Sequence, residues 1–267
     1  MHYEYIAGHE TGPEKGSLPI ITMKGIINVG NTCYFGAIFV ALYHVNEVTT
    51  FLHSPKILEE QSLKTALLKA YRTLISGISS SSNKPAKPSP KAIMKALAGT
   101  NNSHGQIFAD DGQQKDAHEA WVIIIDKFMN HMSYPNLKSF FVNLFEFNGS
   151  SYLQCGACQT TRQKVALYYD INLSFPNELE NAEDRLTLKY MLARYYGVET
   201  LEGDYAVGCD NCECNQKTTK YLRLESEPQI AVIVLMRYVC NHQGEASKNT
   251  KLVGSLQYIH LSNSAVN

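Results

Sequence analysis

Residues 25–42 read GIINVGNTCYFGAIFVAL. A polar, glycine-punctuated turn, Asn28-Val29-Gly30-Asn31-Thr32, runs through Cys33 into an apolar stretch of helical character. Asn31 or Thr32 is a good N-cap, because a short oxygen-bearing side chain satisfies the free amides of a first turn. The pattern predicts a helix from about Cys33 to His44 with Cys33 in its first turn. The exposed amides and the positive end of the helix dipole favour thiolate over thiol there. A thiolate is a nucleophile, whereas a buried thiol is only a small hydrophobe. Asn28, five residues upstream, carries an amide donor that could fold back toward a developing oxyanion.

Working outward, the bulk composition bounds the rest. The 267 residues leave room for one large or two modest domains with a real core. Apolar residues make up 44% and charged residues 18%, an ordinary globular balance. A net charge of −1 gives no general pull toward nucleic acid or an anionic membrane. The N-terminus lacks a basic start followed by an apolar run, and the longest apolar runs, such as Ile230–Met236, are too short to span a bilayer. Seven cysteines, an odd number, argue against a complete disulfide framework. The expectation is a reduced cytoplasmic or nuclear protein in which paired cysteines are metal ligands.

Residues 1–24 are polar, with Gly12-Pro13 and Pro19, and are expected to form a flexible lead-in. Lys56–Ile75 approximates helical spacing, Gly77–Pro88 is a Ser/Lys/Pro loop, and Ala92–Leu97 is a short helix that stops at Gly99. In QQKDAHEAWVIIIDKFMNHM, Ala117, Trp121, Ile124, Ile125, Phe128 and Met132 share one stripe, with Asp116 and Glu119 in the opening turns. From Ser139 the texture turns β-rich, with strands expected at Phe140–Phe147, Val165–Leu173, Tyr221–Leu224 and Ile230–Tyr238 and one helix at about Leu186–Tyr196. The arrangement is α+β, a helical part over 25–135 and a mainly β part over 136–267.

The β-rich part holds two C-x-x-C pairs, Cys155/Cys158 and Cys209/Cys212, with Cys158 and Cys209 fifty-one positions apart. Two such knuckles can close a tetrahedral thiolate site for zinc, and Gly156-Ala157 and Asp210-Asn211 are turn-prone spacers. A redox C-x-x-C would be expected beside a βαβ pattern, which is absent. Cys214 is a spare, and Cys240 a strand-end thiol. The knuckles carry no basic cluster with interleaved aromatics, so a nucleic-acid partner is not expected.

GxxNxGNTCY resembles the cysteine box of the ubiquitin-specific proteases, papain-like enzymes that cleave bonds to the C-terminus of ubiquitin. The resemblance implies that Cys33 is the nucleophile and Asn28 part of the oxyanion hole. Gly36-Ala37 and Phe39-Val40 depart from the family's Asn-Ser and Leu-Gln. Gln114, Asp116, Ala117 and Glu119 resemble its Gln-x-Asp-Ala-x-Glu-Phe box, with Ala120 at the Phe position. By that resemblance the acids of this helix face the channel for ubiquitin's basic tail, and Asp116, with Gln114 beside it, is the first candidate contact. Tyr152-Leu-Gln-Cys-Gly-Ala-Cys, Leu201-Glu-Gly-Asp and Arg237-Tyr238 resemble the family's fingers and palm, whose zinc is structural. The implied fold is a papain-like thumb, palm and fingers lacking the C-terminal part of the palm, and the implied partner is ubiquitin or ubiquitinated protein.

A thiol protease also needs a base, normally His held by Asp or Asn. The family carries it in a Gly-His-Tyr box. None of the nine histidines here is both preceded by Gly and followed by Tyr. Three expectations stay open: a piece of an active enzyme, a pseudo-protease that binds ubiquitin without cutting, or a histidine supplied from elsewhere in the chain.

Overall fold

An apolar helix follows the Gly-Asn-Thr turn as its pattern predicts: α1 is Cys33–His44. The computed structural model describes residues 25–54, 66–79, 88–98, 107–108, 114–130, 135–176, 186–240, 246–254 and 261. The lead-in 1–24 lies outside them, as do most of the Ser/Lys/Pro loop and the start of the helix expected from Lys56. The chain divides into two compact units, Met1–Val142 and Asn143–Asn267.

In the first unit, α1 is followed at an 86° bend by α2 (Asn46–Leu52). Then come α3 (Ala66–Ser79), α4 (Lys91–Ala98) and α5 (Ala117–Asn130). Helix α3 continues through Gly77 to Ser79, so the first residues of the expected loop are helical; Ile78, fully buried, holds that last turn on the core. Among the described residues no single helix is long and apolar enough to cross a membrane.

A relay of aromatic rings joins these helices. Phe35 stacks on Phe39 at 4.4 Å, Phe39 meets Tyr71 at 5.6 Å, and Tyr71 meets Phe128 edge-on at 5.6 Å. Phe128 then stacks on Phe141 at 5.2 Å. All five are essentially fully buried. Each contributes on the order of 1.5–3 kcal/mol by leaving water, and the offset and edge-on geometries add to that. The rings come from α1, α3, α5 and the next helix, so the relay fixes how α1 lies on its neighbours. The expected stripe of α5 is also observed, with Ala117, Trp121, Ile124, Ile125 and Phe128 buried; Met132 lies outside the described residues.

The strand expected at Phe140–Phe147 is corrected by the structure. Residues Pro135–Phe145 form helix α6, and strand β1 begins only at Phe147. Leu137, Phe141, Leu144 and Phe145 are buried at helical spacing, and Pro135 suits a first helical position. The aromatic content suggested a strand, but the period of burial is that of a helix. The boundary expected near Pro135 falls at the start of this helix, whereas the chain divides into its two units after Val142.

In the second unit, β1 (Phe147–Cys155) lies between β2 (Thr161–Tyr168) and β7 (Thr218–Leu224). With β4 (Glu199–Leu201) they make a four-stranded antiparallel sheet ordered β2-β1-β7-β4. The register pairs Phe147 with Tyr168 and Gly149 with Leu224. Phe147, Tyr168, Leu222 and Leu224 thereby pack into one apolar core with Ile171, Leu173, Leu188, Met191 and Leu192. The single run expected at Val165–Leu173 is two strands, because the chain turns at Tyr169-Asp170 before β3 (Ile171–Ser174). β3 pairs in parallel with β8 (Ile233–Met236). Helix α7 (Leu188–Tyr195) is capped by Thr187, whose hydroxyl accepts from Tyr190 N at 3.2 Å. Two small ribbons complete the unit, β5 (Val207–Cys209) with β6 (Cys214–Gln216), and β9 (Tyr238–Cys240) with β10 (Ala246–Lys248).

Candidate functional site

The loop before Cys33 is built around the side chain of Asn28. Thr32 N donates to Asn28 Oδ1 at 3.0 Å, and Thr32 Oγ1 bonds the same oxygen at 3.1 Å. Val29 N in turn donates to Thr32 Oγ1 at 3.1 Å. The expected cap is therefore corrected in detail. Thr32 occupies the N-cap position, but its side chain makes no cap hydrogen bond to the helix because its hydroxyl is committed to the loop. A backbone N–H can only donate, so the group it meets must be the carbonyl oxygen of Asn28. That fixes the amide: Oδ1 points into the loop, and the two N–H bonds of Nδ2 point away from those contacts. The backbone makes the turn at Gly30, with φ of +108°, and Asn31, with φ of +47°. An added Cβ at Gly30 would meet no neighbour, so glycine is needed there for backbone conformation rather than for space.

Cys33 is exposed and free at the first position of α1. The next two residues anchor the helix. Tyr34 donates its hydroxyl to the Ile107 carbonyl at 2.8 Å, and Phe35 packs edge-on against Phe108 at 6.1 Å. Ile27 N donates to the Pro88 carbonyl at 3.0 Å, tying the loop's other side. The thiol thus sits at the start of a helix anchored by its next two residues, beside a loop in which the Asn28 side-chain amide is oriented.

Gln114 and Asp116 precede α5, and both are exposed. Asp116 Oδ1 accepts from His118 N at 2.6 Å and from Glu119 N at 3.3 Å. Asp116 is therefore the N-cap of α5. One of its oxygens is committed to the helix, which leaves Oδ2 for any further partner. Of the histidines, His44 ends α1, eleven positions from Cys33, or about 16 Å along a helix axis. His53 bonds the Thr49 carbonyl through Nδ1 at 2.8 Å, and His118 lies in the first turn of α5. The other six histidines lie outside the described residues.

The four cysteines of the two knuckles come together in the second unit. Cys155 ends β1, Cys158 lies in the β1–β2 turn, Cys209 ends β5, and Cys212 lies in the β5–β6 turn. Sγ of Cys158 is 3.6 Å from that of Cys209, and Sγ of Cys155 is 3.9 Å from that of Cys212. All four lie within 4.8 Å of one another. A tetrahedral ion with metal–sulfur bonds of about 2.3 Å sets its sulfurs about 3.8 Å apart, so the cluster matches zinc in donor type, number and spacing. Four protein ligands leave no open position, so a zinc held here is structural.

The proton chemistry of the cluster points the same way. The Cys158 thiol is held down to about 5, first by its hydrogen bond with Thr160 and then by one with Asn211. Cys212 is pushed up to about 12, first by its hydrogen bond with Cys158. Sulfurs this close cannot all be anionic unless a cation lies between them. Cys214 is exposed and stands outside the cluster, as a spare thiol should.

The first knuckle needs Gly156. Its N donates to the Lys217 carbonyl at 2.8 Å, and an added Cβ would lie 2.8 Å from that same oxygen. Two participants were not legible in the sequence. Thr32 reads there as a helix cap, and nothing marks it as the anchor of Asn28. Arg162 carries no motif, yet its guanidinium donates to the Gly208 carbonyl at 2.6 Å and to Asp210 at 3.3 Å, on either side of Cys209.

These features meet in one family. The Ubiquitin carboxyl-terminal hydrolase family profile matches residues 24–266, and the chain belongs to that family. It is 24% identical over 226 residues to Ubiquitin carboxyl-terminal hydrolase 26 of Oryza sativa subsp. japonica, covering 82% of this chain and 19% of that protein. It is 25% identical over 247 residues to Ubiquitin carboxyl-terminal hydrolase 22-B of Xenopus laevis, covering 82% of this chain and 46% of the relative. The chain thus spans less than half the length of these two relatives. In fold it is similar to a chain of the SAGA Ubp8/Sgf11/Sus1/Sgf73 DUB module bound to ubiquitin aldehyde. That match has a TM-score of 0.71 and 21% identity, and covers 91% of this chain and 53% of the other.

Proposed function

We propose that the chain is a thiol-dependent deubiquitinase with Cys33 as its nucleophile, acting on peptide or isopeptide bonds at the C-terminal Gly of ubiquitin. The observation that carries this reading is the Asn28–Thr32–Cys33 loop. A free thiol at a helix start sits beside an amide whose oxygen is used internally, so that its donors remain for an oxyanion. In this reading Cys33 Sγ attacks the scissile carbonyl carbon, and the carbonyl electrons move onto oxygen. Asn28 Nδ2 and first-turn amides of α1 stabilise that charge. The tetrahedral intermediate collapses, expelling the leaving amine with a proton from a general acid, and a thioester to ubiquitin's terminal Gly remains. Water then attacks the thioester with a general base and regenerates the Cys33 thiol. Asp116 Oδ2 and Gln114 would receive the basic C-terminal tail of ubiquitin, and the tetrathiolate zinc would hold the fingers in shape. The cytoplasm or nucleus, where thiols stay reduced, suits such a protein.

A second reading is favoured by two sequence features. Gly36 and Ala37 stand behind the nucleophile where the resemblance has polar side chains, and no histidine stands in a Gly-His-Tyr box. On that reading the chain binds ubiquitin without turnover. Hydrolysis of a fluorogenic ubiquitin C-terminal amide separates the two. The first predicts release by the unaltered chain and none by Cys33→Ala. The second predicts release by neither, with ubiquitin binding retained by both.

A further inference from the structure

We infer that Arg162 is the positioning residue of the zinc site, holding the second knuckle in place before the metal arrives. The first knuckle is hydrogen-bonded within its own hairpin and, through Gly156 N, to the Lys217 carbonyl between β6 and β7. It lies in the β1–β2 hairpin, where Cys155 N donates to the Thr160 carbonyl at 3.0 Å and Gln159 N to the Cys155 carbonyl at 2.9 Å. Arg162 stands on the same hairpin, paired with Leu153. The second knuckle is carried by the β5–β6 ribbon, which shares no strand with the four-stranded sheet.

Zinc must fix both knuckles at once, and the cost of ordering the second is subtracted from its affinity. A contact that orders the ribbon in the metal-free chain reduces that cost. Arg162 makes such a contact. One arm of its fork donates to the Gly208 carbonyl at 2.6 Å and the other to Asp210 Oδ2 at 3.3 Å, so the two contacts bracket Cys209. The two arms differ in weight. The Asp210 side chain is 89% exposed, and an exposed ion pair is screened and contributes little. The short charge-assisted bond to the carbonyl is the stronger one. The guanidinium also places a fixed positive charge beside a cluster that carries net negative charge once zinc is bound by four thiolates. A planar fork suits this bridge, whereas a lysine ammonium is a single point that cannot span both partners.

The inference rests on the four cysteines being a zinc site, and the experiment separates the two claims. Zinc is titrated into the metal-free chain against a chromophoric chelator at fixed pH and salt. The unaltered chain should bind one zinc; if it binds none, the site assignment itself falls. Arg162→Met should weaken zinc binding by about tenfold, the lower end of what outer contacts of metal sites usually supply. Arg162→Lys should lie between the two, and Asp210→Asn should stay within about threefold of the unaltered chain. Cobalt substitution should give the same tetrathiolate absorption in Arg162→Met as in the unaltered chain, because no ligand has been removed. A folded Arg162→Met with zinc affinity within twofold of the unaltered chain overturns the inference. So does an Asp210→Asn that loses as much as Arg162→Met.

Discussion

Replacing Thr32 by Val tests the loop that presents Asn28. Valine has the shape of threonine without its hydroxyl, and Thr32 is only 4% exposed, so the change removes hydrogen bonds while leaving packing intact. Two bonds go: Val29 N to Oγ1 at 3.1 Å, and Oγ1 with Asn28 Oδ1 at 3.1 Å. The Thr32 N bond to Asn28 Oδ1 at 3.0 Å remains, but Asn28 is then held by one contact instead of two. Each lost bond is worth about 0.5–1.5 kcal/mol, and an amide left without a partner adds to the loss, so the loop should weaken by about 1–3 kcal/mol. Urea unfolding of the first unit's signal measures the stability term. Labelling of Cys33 by a ubiquitin C-terminal electrophile measures the functional one. Thr32→Val should lose stability by that amount and label more slowly, whereas Thr32→Ser, which keeps both bonds and loses only a buried methyl, should lose about 0.8 kcal/mol and label at the unaltered rate. A Thr32→Val chain as stable as the unaltered one would refute the hydrogen-bonded loop as described.

Three further outcomes are expected. Gly156→Ala places a Cβ 2.8 Å from the Lys217 carbonyl, so the first knuckle must shift. Thermal unfolding should show a loss of about 1–3 kcal/mol, as for overpacked sites generally. Stripping zinc with a chelator should abolish the near-ultraviolet signal of the stacked Tyr152–Tyr221 pair, whose strands end at the knuckles, and leave the helical signal of the first unit in place. The Glu225 carboxyl is held below the ordinary glutamate range, first by its hydrogen bond with Ser150 and then by one with Tyr152, whose phenol Glu225 in turn pushes up. Because the folded value is depressed, the contribution of Glu225 to stability is present above the unfolded glutamate value and lost as pH falls through the depressed one. A carboxyl NMR titration should place its midpoint low, and Tyr152→Phe should raise that midpoint only part of the way.

Much of this molecule is legible from residue patterns, for identifiable reasons. The apolar run after Cys33 and the stripe of α5 have helical periods that burial preserves, and helices α1 and α5 fall where those periods place them. The C-x-x-C pairs were readable because zinc demands few residue types in a tight local spacing, even with fifty-one positions between Cys158 and Cys209. Helix α6 was not readable from Phe140, Phe141, Val142, Leu144 and Phe145, because aromatic and β-branched content favours strands while the burial period that decides the matter is set by tertiary packing. Asp116 shows how one residue can satisfy two readings. The resemblance offers it as a substrate contact, and its geometry spends one oxygen on capping α5. Thr32 and Arg162 were invisible because their roles depend on where the backbone folds back, which no local spacing encodes.

The central claim is that Cys33 is the nucleophile of a ubiquitin-directed thiol site. The most direct measurement is reaction of the folded, zinc-loaded chain with a ubiquitin carrying a C-terminal electrophile, followed by peptide mapping. The account predicts one ubiquitin per chain, attached at Cys33 and at neither Cys214 nor the knuckle cysteines, and no adduct with Cys33→Ser. An unmodified Cys33 in a folded chain that binds ubiquitin would contradict it.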